Sequence, residues 1–459
     1  MQRSSVNAGA RLDRLPIGPF HRRILWLIGL GMFLDACDIY LAGGVLGALK
    51  SDGFSTLDAN ASFMTATFLG MLVGTFSAGL LGDLFGRRIS YQANLLLFGL
   101  ASIAAAFAPD MPTLIGIRFV MGVGLGAEIV VSYSSLAEFM PRARRGWAVA
   151  LLAVITNTAV PVTGLGGAWL IPHIGWRPLF AIVGVGALLV WVLRKNMPES
   201  PRWLESRGRL PEAEAMLTAI ETEAARTAPL APISPTPEPP PATGGYADLF
   251  GPRLLRRTIL ATIIAVASGI SLYGFLSWVP TFLVTQGLTP GKSLWFSGAM
   301  GLGAPLGALV GSAIADRFGR VRCLTVLALM EAVLGAIYPL VGNGVQLVAV
   351  GFTLTLCAYA IVAIGFALYI PELFPTPLRL RGVSIAIGTG RLTSSMVGQL
   401  IVAIFAASGI GGVAGFLAGS MVALAAAVML LGRETSGRSL EDIAAADQPA
   451  LTLTPAPNR

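Results

Sequence analysis

The stretch Gly82-Asp83-Leu84-Phe85-Gly86-Arg87-Arg88 closes one apolar run and returns 233 positions later as Ala315-Asp316-Arg317-Phe318-Gly319-Arg320. The small residues leading into it keep the same offset. Gly70, Gly74 and Ala78 map onto Gly303, Gly307 and Gly311, so both runs carry a small-xxx-small face. Two more echoes follow in the same order: Glu138 to Gly146 with Glu372 to Gly382, and Glu199-Ser200 with Glu434-Thr435. Ordered echoes at nearly one offset mark a duplicated unit. The expected fold class is an all-α membrane protein, with twelve transmembrane helices in two pseudo-symmetric six-helix bundles.

Composition agrees. The 459 residues are 54% apolar and 12% charged, with mean hydropathy +0.73; soluble chains carry about 25% charged residues. Twelve spans are expected at 24–49, 60–82, 89–108, 112–139, 146–170, 177–195, 257–285, 292–314, 322–341, 345–372, 380–408 and 411–431. They give an N-terminal bundle (1–195), a cytoplasmic linker (196–256), a C-terminal bundle (257–431) and a cytoplasmic tail (432–459). Pro211 to Arg226 reads as an amphipathic helix, and Pro229 to Pro241 as an extended Pro-rich segment. With the N-terminus inside, 27 of the 32 Lys and Arg fall on cytoplasmic segments, the asymmetry of the positive-inside rule. The net charge of +8 is therefore topological and no nucleic-acid footprint. The chain is expected in the inner (cytoplasmic) membrane, with both termini cytoplasmic and as a monomer. The three cysteines fall in or beside spans and form no disulfide framework. Neither a nucleotide loop, a metal cluster nor a credible catalytic triad is visible, so the chain is read as no enzyme, without cofactor or metal.

These repeats resemble the major facilitator superfamily along essentially the whole chain. Pro198 to Trp203 (P-E-S-P-R-W), Arg433 to Asp442, and Arg118 followed by Gly122, Gly124 and Gly126 resemble its sugar-porter branch. The glutamine-bearing run of span 7 in true sugar porters is replaced here by Ala265 to Ser271 (A-V-A-S-G-I-S), which removes amides able to pair with sugar hydroxyls. Asp35-Ala36-Cys37-Asp38, Ser277 to Thr281 and Gly388 to Arg391 resemble aromatic-acid:proton symporters and niacin-type carriers instead.

A charge at mid-helix costs about 2.5–3.5 kcal/mol on insertion scales, so each needs a reason. Asp35 and Asp38 lie three apart, on one face of span 1. Arg118 falls in the outer half of span 4, Glu128 near its centre, and Arg391 near the centre of span 11. The resemblance implies an Asp38–Arg118 pair, and Asp35, Asp38, Arg118 and Glu128 are the proton-coupling candidates; Glu128 is expected either to pair with Arg118 or to face the cavity. The two histidines, His21 and His173, lie outside the spans. Arg391 is the candidate fork for an anionic substrate, with Tyr40, Tyr133, Asn157, Tyr273, Trp278, Tyr359 and Gln399 as polar and aromatic lining. Glu331, on a peripheral span, has no role in this scheme beyond that of a buried, protonated acid. Asp83, Arg87 and Arg88, and Asp316 with Arg320, are expected to form inner-face salt bridges with Glu138, Arg145, Glu372 and Arg381 that act as gating latches. The reading is a secondary transporter that imports a small organic anion with protons by alternating access, its partners being that substrate, protons and the bilayer. A sugar or polyol symporter, an efflux carrier for hydrophobic compounds and a non-transporting sensor stay open as alternatives.

Overall fold

A chain in oil must satisfy its backbone polar groups within itself, so each apolar run folds as helix. The computed structural model describes residues 6–141, 144–233, 245–342, 344–375 and 378–435. Its long helices are α1 (Pro19–Ser51), α2 (Leu57–Phe85), α3 (Arg87–Ala106), α4 (Met111–Phe139), α5 (Arg145–Ile174), α6 (Arg177–Leu193), α7 (Leu255–Thr285), α8 (Pro290–Phe318), α9 (Arg320–Leu340) and α10 (Gly344–Glu372). The last helical stretch, Arg379–Leu431, has 53 residues. At 1.5 Å per residue it would measure about 80 Å, against roughly 30 Å of hydrocarbon. It divides at Gly409, whose φ of 62° and ψ of −160° suit only glycine. The two parts are α11 (379–408) and α12 (410–431), so the expected twelve spans are present with a connection of a single residue between the last two.

The repeated small-residue faces do the same job in each half. A Cβ added at Gly74 of α2 would lie 2.0 Å from the Val123 carbonyl of α4, and one at Gly307 of α8 would lie 2.3 Å from the Leu356 carbonyl of α10. The backbones touch, and the duplicated sequence gives a duplicated helix contact. Several helices that meet between the halves are interrupted. α5 breaks at Thr158, ahead of Pro161. Wide π-turns occupy Leu272–Leu276 of α7 and Ala363–Tyr369 of α10.

Even span number puts both termini and the linker at one end of the bundle, called here the terminal end; the opposite end is the far end. At the terminal end a short helical turn, Ala8–Asp13, is held by the linker helix Leu210–Ala225. That helix is amphipathic as expected, burying Ala213, Leu217, Ile220 and Ala224. Arg11 pairs with Glu221 at 2.7 Å and Glu214 at 2.6 Å, and Arg14 pairs with Glu221 at 2.7 Å. Residues 234–241 of the expected Pro-rich segment lie outside the described residues.

Burial opposes ionisation of Glu221, but hydrogen bonds from Arg11 and Arg14 outweigh it and hold its carboxyl below the usual glutamate range. The stabilisation from this clasp is present above the ordinary glutamate pKa, about 4.3, and is lost as pH falls through the lower folded value. Glu221→Gln is therefore expected to raise hydrogen exchange of residues 8–14 at pH 7, matching acidified wild type, without change in the membrane helices. Unchanged exchange at residues 8–14 would mean that apolar packing alone holds the turn.

Candidate functional site

Asp35 and Asp38 sit on one face of α1, as their spacing requires, and both are buried. Asp38 Oδ2 accepts a short hydrogen bond from Arg118 Nη1 of α4, and its main-chain carbonyl accepts from Arg118 Nη2 at 3.4 Å. Arg118 Nε donates to Thr67 Oγ1 of α2 at 2.9 Å, and the guanidinium lies 4.9 Å from the Phe63 ring centre. The implied pair is thus present, fully desolvated and anchored to a third helix.

Glu128, expected either to pair with Arg118 or to face the cavity, takes a different partner. It pairs with Arg194 at 2.5 Å and accepts from Ser132 Oγ at 3.1 Å. Arg194 follows α6 in a short 3₁₀ turn, Arg194–Asn196, yet is 1% exposed. It also donates to the Leu27 and Ile28 carbonyls of α1, at 2.9 and 3.0 Å, and lies 5.0 Å from the Tyr91 ring centre. Arg194 falls at the end of the expected span 177–195, where an arginine head ordinarily extends toward water. Its stem instead carries the head inward, to carbonyls that α1 can offer because Gly31 has no side chain: a Cβ there would stand 2.0 Å from Arg194 Nη2.

The result is a buried cluster of three carboxylates and two guanidiniums in the N-terminal half. Asp35 is the odd member. Neither of its oxygens has a hydrogen-bond partner, and it feels the charges of Glu128, Arg194 and Asp38.

Between the halves the structure gathers four of the expected aromatic residues and Arg391. Tyr40 of α1 and Tyr359 of α10 have ring centres 6.5 Å apart, and Phe68 of α2 meets Tyr273 of α7 edge-on at 4.4 Å. The Tyr40 hydroxyl interacts electrostatically with Tyr273, Tyr359, Arg391 and Tyr133. Arg391, half-buried on α11, reaches Met71 Sδ of α2 at 3.7 Å. Asn157 is half-buried at the break of α5. Two expected lining residues are placed elsewhere. Trp278 is 1% exposed, stacked on Phe282 at 5.9 Å and packed on Gly398, so it is wall rather than lining. Gln399 is exposed and donates to Ser62 at 3.3 Å, at the rim of the α2–α11 seam. The α7 run that replaces the glutamines is packed against α11: a Cβ at Gly390 would touch Ala265 at 3.2 Å.

The far end is closed. Thr65 Oγ1 of α2 donates to the Ser395 carbonyl of α11 at 2.8 Å. Gly164 of α5 and Gly298 of α8 approach so closely that a Cβ on Gly164 would lie 2.4 Å from the Gly298 Cα, and one on Gly43 of α1 would lie 2.7 Å from the Ser277 carbonyl. Just beneath, a cavity is lined by Tyr40, Thr163, Phe275, Ser277 and Ser297.

At the terminal end the duplicated loops repeat in geometry. Arg87 pairs with Glu138 at 3.2 Å, and Arg320 pairs with Glu372 at 3.1 Å and Asp316 at 2.8 Å. Glu199 accepts from the Arg87 and Arg88 amides at 2.8 and 3.2 Å, and Glu434 from those of Arg320 and Val321 at 2.9 and 3.2 Å. A carboxylate on the exposed amides of a helix N-terminus is stabilising, which explains the third sequence echo. Gly86 and Gly319 make the preceding turns with φ of 97° and 90°. Arg88 donates to the Lys195 carbonyl at 2.7 Å. Of the other expected latch members, Arg145 pairs with Asp13 at 3.4 Å, and Arg381 lies 5.7 Å from the Tyr246 ring centre. The side chain of Asp83 lies outside the described residues.

Comparison with known proteins places this architecture. The model of the Major Facilitator Superfamily matches residues 28–387. The chain is 36% identical to the inner membrane metabolite transport protein YdjE of Escherichia coli (strain K12), over 95% of this chain and 98% of that one. It is 29% identical to the niacin transporter NiaP of Acinetobacter baylyi, over 95% and 99% of the two chains. In three dimensions it is similar to the partially occluded, inward-open xylose transporter XylE of E. coli, with a TM-score of 0.71 and 20% identity, covering 92% of this chain and 100% of that one.

Proposed function

The chain belongs to the Major Facilitator Superfamily and is a multi-pass membrane transporter, and from that premise we propose that it is a proton symporter importing a small carboxylic acid with an aromatic ring. The observation that carries the coupling is Asp35, a buried carboxylate without a partner one helical turn from the Asp38–Arg118 pair. Three acids facing two arginines in oil have room for one proton. Its arrival at Asp35 or Asp38 loosens the hold on Arg118, and its departure restores it. Ring-bearing cargo is supported by the aromatic group around Tyr40 and by Arg391, whose fork suits a carboxylate. The niacin transporter NiaP carries a ring acid by name, which favours the same class.

With the basic loops on the cytoplasmic side, the sealed far end faces outward, and the geometry corresponds to an inward-facing state. Arg87–Glu138, Arg320–Glu372 and the two capping glutamates then act as latches that release when the cytoplasmic ends move together or apart.

The test is uptake into proteoliposomes under an imposed pH gradient, alkaline inside, against protein-free vesicles. One proton per molecule accumulates an aromatic acid about tenfold per pH unit, since 1.4 kcal/mol is a factor of ten. Accumulation of a sugar instead, or uptake indifferent to the gradient, would overturn the reading. Arg391→Ala is expected to weaken binding of aromatic acids by at least ~tenfold while leaving their uncharged amides within about a factor of two, because truncation removes a charge-assisted contact of ~1.5–3 kcal/mol. Equal losses for acid and amide, measured by competition, would make Arg391 a structural residue.

A further inference from the structure

Away from the central cleft, α7, α9, α10 and α12 line a second cavity. Its walls are apolar, with Phe275, Phe282, Leu354, Leu417 and Met421 among them, and its one charged side chain is Glu331. Glu331 is 7% exposed; its Oε1 accepts a short hydrogen bond from Ser271 Oγ, and its Oε2 has no partner. Glu331 stands roughly 16 Å along α9 from Arg320, so the carboxylate marks the deep end, near mid-bilayer. Leu283, Pro339 and Ile410 mark the other end, toward the far face. Gly335, Pro339, Ala414 and Ala418 line the cavity yet are only partly buried, so the wall on the lipid side is thin.

We propose that this cavity is a binding site for a lipophilic amine, entering from the far half of the bilayer and donating an N–H to Glu331 Oε2. A buried carboxyl with a spare oxygen selects a donor, an ammonium brings the counter-charge that the ionised group lacks, and an acid is disfavoured because its carboxylate would be desolvated with no cation to meet it. The apolar walls select a compact hydrocarbon body. Glu331 thereby gains a role that the central transport site does not give it. The site has a mechanical lever as well. Ser271 directly precedes the π-turn of α7, and Phe275, Val279 and Phe282 belong to the α7 segment whose other side closes on Gly43 of α1. A bound amine supports that segment from behind and resists its outward swing.

The experiment measures equilibrium binding of tritiated 1-aminoadamantane to the purified full-length protein in lipid nanodiscs, with empty nanodiscs as background and adamantane-1-carboxylate as competitor. Binding needs no transport assay, so its outcome is independent of the proposed substrate. Expected is one saturable site, weakened at least tenfold by Glu331→Gln and abolished by Gly335→Leu, without competition by the acid. A Cβ at Gly335 meets nothing within 4 Å, so that variant keeps its helix while filling the cavity. Ser271→Ala supports the assignment a second way, by altering affinity while leaving elution and thermal midpoint unchanged. No saturable site in wild type, wild-type binding in both Glu331→Gln and Gly335→Leu, or equal competition by the acid would overturn the proposal.

Discussion

Asp38→Asn protein in proteoliposomes is expected to lose concentrative uptake altogether, from about tenfold per pH unit to no accumulation, while still exchanging labelled for unlabelled substrate. Exchange needs only the substrate site and the rocking of the two halves. Concentration needs a group that carries its proton in one state and gives it up in the other. An amide at position 38 can still accept from Arg118, but it cannot change charge, so the pair with Arg118 stays in one condition through the cycle. The substitution also leaves Arg118 buried without its counter-charge, and breaking a buried pair costs about 3–5 kcal/mol. A folding defect is separated from a coupling defect by the exchange assay itself, since unfolded protein does neither. Asp35→Asn supplies the contrast. Asp35 holds no ion pair, so its amide form costs the fold little, yet the same loss of accumulation is expected. Full accumulation by Asp38→Asn would show that the Asp38–Arg118 contact is structural.

The charge carried per cycle follows from the same cluster. A monoanion moving with one proton is electroneutral, so accumulation responds to pH and is indifferent to membrane potential. A second proton adds a net positive charge and about 2.3 kcal/mol per 100 mV, close to fiftyfold in accumulation. Measuring uptake at fixed pH gradient with and without a potassium diffusion potential therefore counts protons, and asks whether Asp35 and Asp38 each deliver one.

The duplicated loop carried the fold because the membrane reduces the choices: an apolar run of sufficient length becomes a helix, and the repeat then pairs the helices. The Asp38–Arg118 contact was legible through the family resemblance, which implies the pair; the placement of the charges alone left Asp35 and Glu128 as equally possible partners for Arg118. Arg194 was opaque. It sits at the end of a span, where an arginine usually extends toward water, and only the missing side chain at Gly31, 163 positions earlier, lets it turn inward. Trp278 packs into the wall and Gln399 sits at the α2–α11 rim because a helix in a bundle has wall, lipid and cavity faces, and composition does not tell which face is which. Tyr40 and Tyr273, chosen on the same kind of signal, lie between the halves, so aromatic type marked candidates without ranking them. The Glu199 and Glu434 caps lay in plain view as an echo, but their meaning required the turn at Gly86 and Gly319 that points the amides at them.

Arg194→Met is expected to be the most damaging single substitution for the fold of the N-terminal half, costing about 3–5 kcal/mol because it strips a buried carboxylate of its partner. Glu128 would then lack its paired guanidinium, and the Leu27 and Ile28 carbonyls of α1 would lose their donors. Methionine keeps much of the volume, so the loss is electrostatic rather than a cavity. The double variant Arg194→Met/Glu128→Gln removes both charges and should recover most of the loss, to within about 1–2 kcal/mol of wild type, since replacing a buried pair by neutral groups is often close to neutral. Gly31→Leu should reproduce the single defect by pushing the guanidinium off α1, and Glu128→Gln should relieve it only in part, because the steric conflict remains. Thermal midpoints in a fixed detergent, read with tryptophan emission and with the fraction eluting as monodisperse protein, decide the matter. A stable Arg194→Met protein, or a double variant no better than the single, would mean that the carboxylates in this cluster are neutral in the resting protein. Arg194 would then be held by the α1 carbonyls alone.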